Sequence, residues 1–288
     1  MVHRVSHVVC TLKEGGNVLF SFYRCQIVKY INVISKACTK FGPTLFIIMT
    51  PIHFPNTKQH CLSLRYKCTK IWEEFEKAYV GHDPCNVPGE NYDSLIAVAP
   101  LKHSCGKTMF WSKTKDLVRD FTKNREDVFI LEDTLLGSVL DGLNWCGKKG
   151  SSETFTEGCP EWDECANNPL RSVWNRGSHA SADYGCDDVT AMLNGSRDRA
   201  FDPERVFGSV EVKRMKYPKV KSLKVVLFTQ KNTQSDTQKS SQEANCNNVL
   251  KDLKGALDQG ITCTCKEVTV AKIKECSSNP KKPIGTCW

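Results

Sequence analysis

Leu223-Lys224-Val225-Val226-Leu227-Phe228 is the clearest buried strand in the chain, and the forty residues after it decide the fold. Thr229–Glu243 is polar and rich in Ser, Gln and Lys, which predicts a surface loop. Next, Val249, Leu250, Leu253, Ala256 and Leu257 recur at helical spacing, closed by Gly260, and Ile261–Val268 resumes an extended pattern. Strand, helix and strand in that order predict a parallel βαβ unit with a right-handed crossover. Val189–Leu193 reads as a second buried strand. Upstream, Ile71, Trp72, Phe75, Ala78 and Tyr79 share one helical face, ended by Gly81 and Pro84, and Leu117, Val118 and Phe121 suggest another short helix. Val128–Leu131 looks extended and runs into Glu132-Asp133, expected to start a helix that carries Asp141 and ends at Cys146. The fold class is therefore α/β towards the C-terminus and mostly helical in the middle, α+β overall.

Composition sets the class of protein. With 288 residues, 40% of them hydrophobic, the chain can bury a large core. Sixteen cysteines without a single Cys-x-x-Cys favour disulfides formed in an oxidising, secretory compartment over zinc ligation. The net charge of +8 is not gathered into basic runs interleaved with aromatics, which argues against a nucleic-acid partner. No segment reaches the ~20 apolar residues of a membrane span, and Cys287-Trp288 is not the tail of a lipid-anchor signal. Val18–Phe22 and Leu45–Met49 are too short for a leader core, so residues 1–60 read as a divergent extension or an incorrect start, without assigned function. A homodimer is compatible with this composition, and membrane attachment is left open.

Several runs carry a resemblance. They are Ile130-Leu131-Glu132-Asp133-Thr134-Leu135, Asn144-Trp145-Cys146-Gly147, Cys159-Pro160-Glu161-Trp162, Met192-Leu193-Asn194-Gly195-Ser196 and Phe207-Gly208-Ser209-Val210-Glu211. In this order they resemble the ADP-ribosyl cyclase / NAD glycohydrolase (cyclic ADP-ribose hydrolase) family, over roughly Cys68 to Cys287. The resemblance implies a disulfide-stapled fold with a helical lobe, a lobe around a short parallel β-sheet, and the active site in the cleft between. Carried over, residues 61–288 form the domain. Residues 68–104 and 130–185 make the helical lobe, and 105–129 and 186–288 the other. It implies the pairs Cys85–Cys165, Cys105–Cys186, Cys146–Cys159, Cys246–Cys265 and Cys276–Cys287. Cys263 is extra, Cys61 is too near Cys68 for the family spacing, and Cys10, Cys25 and Cys38 have no counterpart.

The implied reaction breaks the nicotinamide–ribose bond of NAD+, which is substrate rather than cofactor; NADP+ is the alternative dinucleotide. Nicotinamide leaves a cationic pyridinium as a neutral amide, so its departure needs no general acid. What the transition state needs is a carboxylate near the ribosyl cation, aromatic walls and a grip on the carboxamide. By resemblance Glu211 is the catalytic carboxylate, although a glutamate taken alone would more often face solvent on a strand. Trp111 and Trp174 are implied as the aromatic walls, indole suiting a flat cation; Trp72, Trp145 and Trp162 read as core, and Trp288 as neither. Glu132 and Asp141 match residues that grip the carboxamide, Glu132 also influencing whether water or adenine attacks. Nine positions apart, they would stand about 180° apart on one straight helix. They can share a ligand only if the helix begins after Glu132, with Asp133 or Thr134 as its cap. Ser112, Lys113, Ser178 and Phe207 fall at positions contacting phosphates, ribose or ring; Lys113 stands where some members have Arg, and Val206 where some have a polar residue.

Other sites fail on spacing. Leu101 stands where a phosphate loop ending in Gly106-Lys107-Thr108 needs its first glycine. No Gly-x-Gly-x-x-Gly follows a strand, and no His-Glu-x-x-His exists, so neither Rossmann binding nor a zinc hydrolase is supported, and no metal is expected. Asn194-Gly195-Ser196 is a glycosylation sequon. The rival from another class is a disulfide-rich extracellular binding protein that kept the fold and lost catalysis.

Overall fold

Why the run after Lys224 is apolar from Val225 to Phe228 becomes plain in the computed structural model, which describes residues 68–229 and 244–288. Residues 1–67, with the expected N-terminal extension and Cys10, Cys25, Cys38 and Cys61, lie outside the described residues, as do residues 230–243 of the expected polar loop.

In chain order, the structure opens with α1 (Cys68–Tyr79), whose Ile71, Phe75, Ala78 and Tyr79 are buried; Gly81, at φ +78°, turns the chain after it. Then come α2 (Asp93–Val98), β1 (Met109–Ser112) and α3 (Lys115–Thr122). A 3-10 turn at Leu131–Asp133 leads into α4 (Leu135–Leu140), the hairpin β2 (Cys146–Lys148) and β3 (Ser151–Phe155), and α5 (Pro169–Tyr184). The chain ends with β4 (Asp187–Asn194), a π-helix at Phe207–Val212, β5 (Val220–Thr229), α6 (Cys246–Ala256), β6 (Thr262–Thr269) and α7 (Val270–Ser277).

β1, β4, β5 and β6 form one sheet in that order, every neighbouring pair parallel. Both faces are covered over the inner strands, where Ala191–Leu193 and Val225–Phe228 are buried throughout, while the edge strand β6 is largely polar and exposed. Leu223, Val225 and Leu227 pack with Val249 and Leu253 of α6 and with Phe207 and Val212. The alternate residues Val226 and Phe228 pack with Val118 and Phe121 of α3 and Ile273 of α7. Period-two alternation thus sorts one apolar run into two cores.

Five disulfides staple the fold: Cys85–Cys165, Cys105–Cys186, Cys146–Cys159, Cys246–Cys265 and Cys276–Cys287, the pairs the resemblance implies. The first two close separations of 80 and 81 residues, where constraint on the unfolded chain is greatest. Cys263 is a free, half-buried thiol. Next to Cys105–Cys186, the His103 ring stacks on Phe129 at 5.4 Å and meets Tyr184 edge-on at 4.8 Å. The Tyr184 hydroxyl accepts from the His103 N–H at 3.2 Å and donates to the His103 carbonyl at 2.7 Å.

Some local expectations need correction. The middle of the chain is not helical throughout: Cys146 opens a hairpin instead of ending a helix. Gly147 packs so tightly there that a Cβ would sit 2.4 Å from the Tyr79 carbonyl oxygen. Val128–Leu131 is extended only as far as Ile130, with one parallel bridge from Phe129 to Thr108, before the 3-10 turn begins at Leu131. The helix after it is six residues long and does not carry Asp141 along its length. Asp141 has extended backbone and Gly142 turns away at φ +75°. α6 likewise stops at Ala256, Leu257 being extended. Trp288 is not isolated; it packs against the core beside Phe121, ring centroids 5.1 Å apart.

Candidate active site

Four pieces of chain build one cavity of about 520 Å³. β1 supplies Trp111 and Ser112 at its C-terminal end, held in parallel register against Met192 and Leu193 of β4. The ends of strands in a parallel sheet are where such folds place ligands.

The second piece is the acidic turn. Asp133 Oδ2 accepts from the Ile130 N–H at 3.1 Å, while Thr134 Oγ1 caps α4 by accepting from the Gly137 N–H at 3.2 Å and donates to the Leu131 carbonyl at 2.6 Å. The helix therefore begins after Glu132, the condition under which Glu132 and Asp141 can share a ligand, and both line the cavity. Trp111 Nε1 donates to Glu132 Oε2 at 3.3 Å. Burial raises the Glu132 pKa, the nearby charges of Asp133 and Asp141 add to it, and the indole bond opposes it. Asp141 is held by a bidentate pair with Arg119, at 3.2 and 2.5 Å.

α5 is the third. Its cap Asn168 accepts from the Arg171 N–H at 2.8 Å and donates to the carbonyls of Glu161, Trp162 and Cys165 at 3.1, 3.1 and 2.7 Å. Leu170, Trp174, Ser178 and Ser181 then fall on one helical face and line the cavity. Because Asn168 gathers the preceding loop, Trp162 lines it too. Its expected place in the core is thus corrected, whereas Trp145 is core, 1% exposed, its Nε1 bonded to Tyr92 at 3.1 Å.

Last comes the π-helix at Phe207–Val212, a form frequent at functional sites. Ser209 locks its entry, its N–H and Oγ both donating to the Arg205 carbonyl at 2.7 and 2.9 Å. Glu211 is neither on a strand nor outward-facing. It is 8% exposed, and its Oε2 has no hydrogen-bond partner among the described residues. Burial pushes its pKa up to about 8; a hydrogen bond with Ser178 opposes this and the charge of Glu132 adds a little.

The cavity brings together Glu211, Glu132, Asp141, Trp111, Trp174, Ser112, Lys113, Ser178 and Phe207. Buried carboxyls, indoles and exposed lysines in one cavity suit a ligand with a flat cationic ring and an anionic tail. The profile of the ADP-ribosyl cyclase family matches residues 53–285. The chain belongs to that family. It is 35% identical over 219 residues to rat ADP-ribosyl cyclase/cyclic ADP-ribose hydrolase 1, covering 75% of this chain and 70% of that protein. With the Aplysia californica enzyme it shares 30% over 199 residues, 68% of this chain and 66% of that one. Among solved structures, porcine CD38 with a covalent intermediate, ribo-F-ribose-5′-phosphate, superposes with TM-score 0.62 at 37% identity, covering 71% of this chain and 87% of that one. The Aplysia cyclase with substrate NGD and product cGDPR gives 0.66 at 25%, covering 87% and 94%.

As an ADP-ribosyl cyclase family enzyme, the chain cleaves the nicotinamide–ribose bond of NAD+, giving ADP-ribose, cyclic ADP-ribose or both, with nicotinamide. No finding favours a catalytically silent relative. Among the described residues no group of His, Cys, Asp and Glu is placed to hold a metal. Lys115, Asn144, Trp162 and Arg205 line the cavity although the sequence reading does not assign them to it. Asn144, Trp162 and Arg205 had a signal, each standing inside or beside a family run; Lys115 had none beyond proximity.

Proposed function

We propose that Glu211 is the catalytic carboxylate, and one observation carries the assignment: a buried carboxyl with an unpartnered oxygen in the cavity that also holds both indoles. Nicotinamide sits between Trp111 and Trp174, its carboxamide gripped by Glu132 and Asp141. The C–N bond breaks with its electron pair going to the pyridinium nitrogen, so nicotinamide leaves neutral. Ionised Glu211 stabilises the positive charge left on the ribose, an electrostatic effect that low polarity around it strengthens. Water adds to give ADP-ribose and a proton, or the adenine ring adds to give the cyclic product. Ser112, Lys113, Ser178 and Phe207 position phosphates, ribose and ring.

The reading extends to the whole protein. Residues 61–288 form the catalytic domain, with the lobes meeting at the cavity, and five disulfides support assembly in a secretory, extracellular compartment. Asn194 is the glycan acceptor; its Nδ2 donates to the Lys113 carbonyl at 3.3 Å, so occupancy would act on the turn beside the cavity. The test is chromatography of products from NAD+. Glu211→Gln keeps the fold and loses nicotinamide release by at least about a hundredfold; near-normal release from folded mutant would sink the assignment. Glu132→Ala changes the ratio of cyclic to linear product several-fold more than total consumption, and an unchanged ratio removes Glu132 from that role.

A further inference from the structure

One ion pair beside the cavity has no part in the chemistry assigned above. Arg119 stands on α3, four residues after Lys115, and Val118, Phe121 and Thr122 anchor that helix, each 2% exposed or less. Thr114, the residue before α3, donates through Oγ1 to the Met192 carbonyl of β4 at 3.4 Å. Asp141 comes from another stretch of chain, 22 positions on. Its N–H closes the last turn of α4 on the Gly137 carbonyl at 2.8 Å, but its own backbone is extended and Gly142 turns the chain at φ +75°. Arg119 Nη1 and Nη2 donate to the two Asp141 carboxylate oxygens at 3.2 and 2.5 Å. Asp141 lines the cavity and Arg119 does not, so Arg119 acts on a bound ligand through Asp141.

As a staple for the fold this pair is weak. The two side chains are 41% and 21% exposed, and pairs open to solvent add little to stability. What the guanidinium fork supplies is geometry, since parallel bonds to both oxygens fix the plane of the carboxylate. An ionised carboxylate has about four acceptor sites, and the fork occupies two of them, leaving room for the N–H groups of a ligand. The fork also offsets the charge of Asp141, which bears on Glu132 in the same cavity. A side chain held in this way is already aimed before the ligand arrives, so binding does not have to order it. We propose that Arg119 is a positioning residue: it sets the Asp141 carboxylate in the orientation that accepts the amide N–H2 of nicotinamide, and so makes the site read the carboxamide. This rests on the reading that Asp141 grips that group.

Steady-state kinetics with NAD+ and with 3-acetylpyridine adenine dinucleotide test it. The analogue keeps the ring, sugars and phosphates but carries a methyl group where nicotinamide carries its N–H2. Arg119→Ala should lower kcat/KM for NAD+ about fivefold, chiefly through KM, and leave the analogue within about twofold. Its melting temperature should stay close to wild type, as the loss of a solvated pair requires. Arg119→Lys keeps the stem and the charge without the fork, and should lose part of the preference for NAD+. Asp141→Ala should lose that preference by itself, and adding Arg119→Ala to it should change the ratio of the two substrates no further. Equal losses for both substrates would reduce Arg119 to general support of the fold and overturn the proposal. So would no loss for either, or a further change of the ratio in the Asp141→Ala background. If Asp141→Ala leaves the ratio unaltered, the carboxamide reading itself falls and takes this one with it. A ratio lowered by Asp141→Ala but untouched by Arg119→Ala overturns the role of Arg119 alone.

Discussion

Glu211 enters the reaction in the wrong protonation state. With its pKa pushed up to about 8 by burial, the free protein holds it largely neutral at pH 7, while the proposed chemistry needs it ionised. A cation beside it reverses the balance, so the bound pyridinium expels the proton to solvent. Binding of an unreactive carbocyclic NAD+ analogue at pH 7 should therefore release close to one proton, seen as a buffer-dependent heat. The release should shrink at pH 9 and vanish in Glu211→Gln. For the same reason kcat/KM should rise with pH, reaching half its maximum near 8 and levelling off at about 9 or above. Stability takes the opposite sign. A carboxyl raised above its unfolded value stabilises the fold at acid pH and loses that contribution as pH climbs through 8, so Glu211→Gln should melt several degrees above wild type at pH 9 and gain less at pH 5. Glu132 and Glu211 were legible in the sequence because each stands inside an intact family run, whereas Asp141, Trp111 and Trp174 stand outside those runs and were placed by resemblance alone. Trp162 stands in such a run too, yet its place in the cavity depends on three carbonyls folding round Asn168, which neighbouring residues do not announce.

At the scale of elements, two glycines decide where the acids point. Gly208 lies against the chain at Asp202–Pro203, where a Cβ would come within 2.5 Å of the Asp202 carbonyl oxygen. Gly137 lies inside α4, and a Cβ there would come within 2.1 Å of the Leu131 carbonyl oxygen and 2.5 Å of the Glu132 Cα. Helix propensity alone would favour alanine by up to about 1 kcal/mol at either position. Contacts this short with backbone reverse the sign, since the neighbour cannot swing aside. Gly208→Ala should cost about 1–3 kcal/mol in urea unfolding and, by displacing the turn that carries Glu211, lower kcat well beyond what the residual folded fraction explains. A variant as stable and active as wild type would show that the turn is not held by this contact. Crowding does not end α4, since a Cβ on Gly142 would meet open space; the helix stops because Asp141 is extended and Gly142 takes φ +75°, although hydrophobic residues continue past Leu140. By contrast β4 and β5 were legible, because a strand buried on both faces leaves an apolar run, whereas β1 at the sheet edge is four residues long and was not read as a strand.

Across the whole molecule, the proposed lobes exchange chain at residues 104/105, 129/130 and 185/186, and His103, Phe129 and Tyr184 stand beside those three crossings, the His103 ring touching the other two. The bridge Cys105–Cys186 closes the same knot. A single cluster therefore fixes how the crossings lie relative to each other. His103 is the one member that changes charge near neutral pH. Burial lowers its pKa, with Lys107 acting in the same direction and the Ser104 carbonyl opposing, so the neutral ring is the form the folded state prefers. Its stabilising contribution is accordingly present above the ordinary histidine range and lost as pH falls through the depressed value. His103→Ala removes both ring contacts and should lower stability by about 1–2 kcal/mol at pH 8. That deficit should shrink as pH falls through the depressed value, where the wild-type ring itself takes up a proton. If the knot also sets the width of the cavity between the lobes, the variant should raise KM for NAD+ at pH 8 with kcat less affected, because the ring touches none of the groups assigned to the chemistry. A deficit independent of pH would mean that His103 contributes only as a flat apolar spacer, and an unchanged KM would confine the knot to stability.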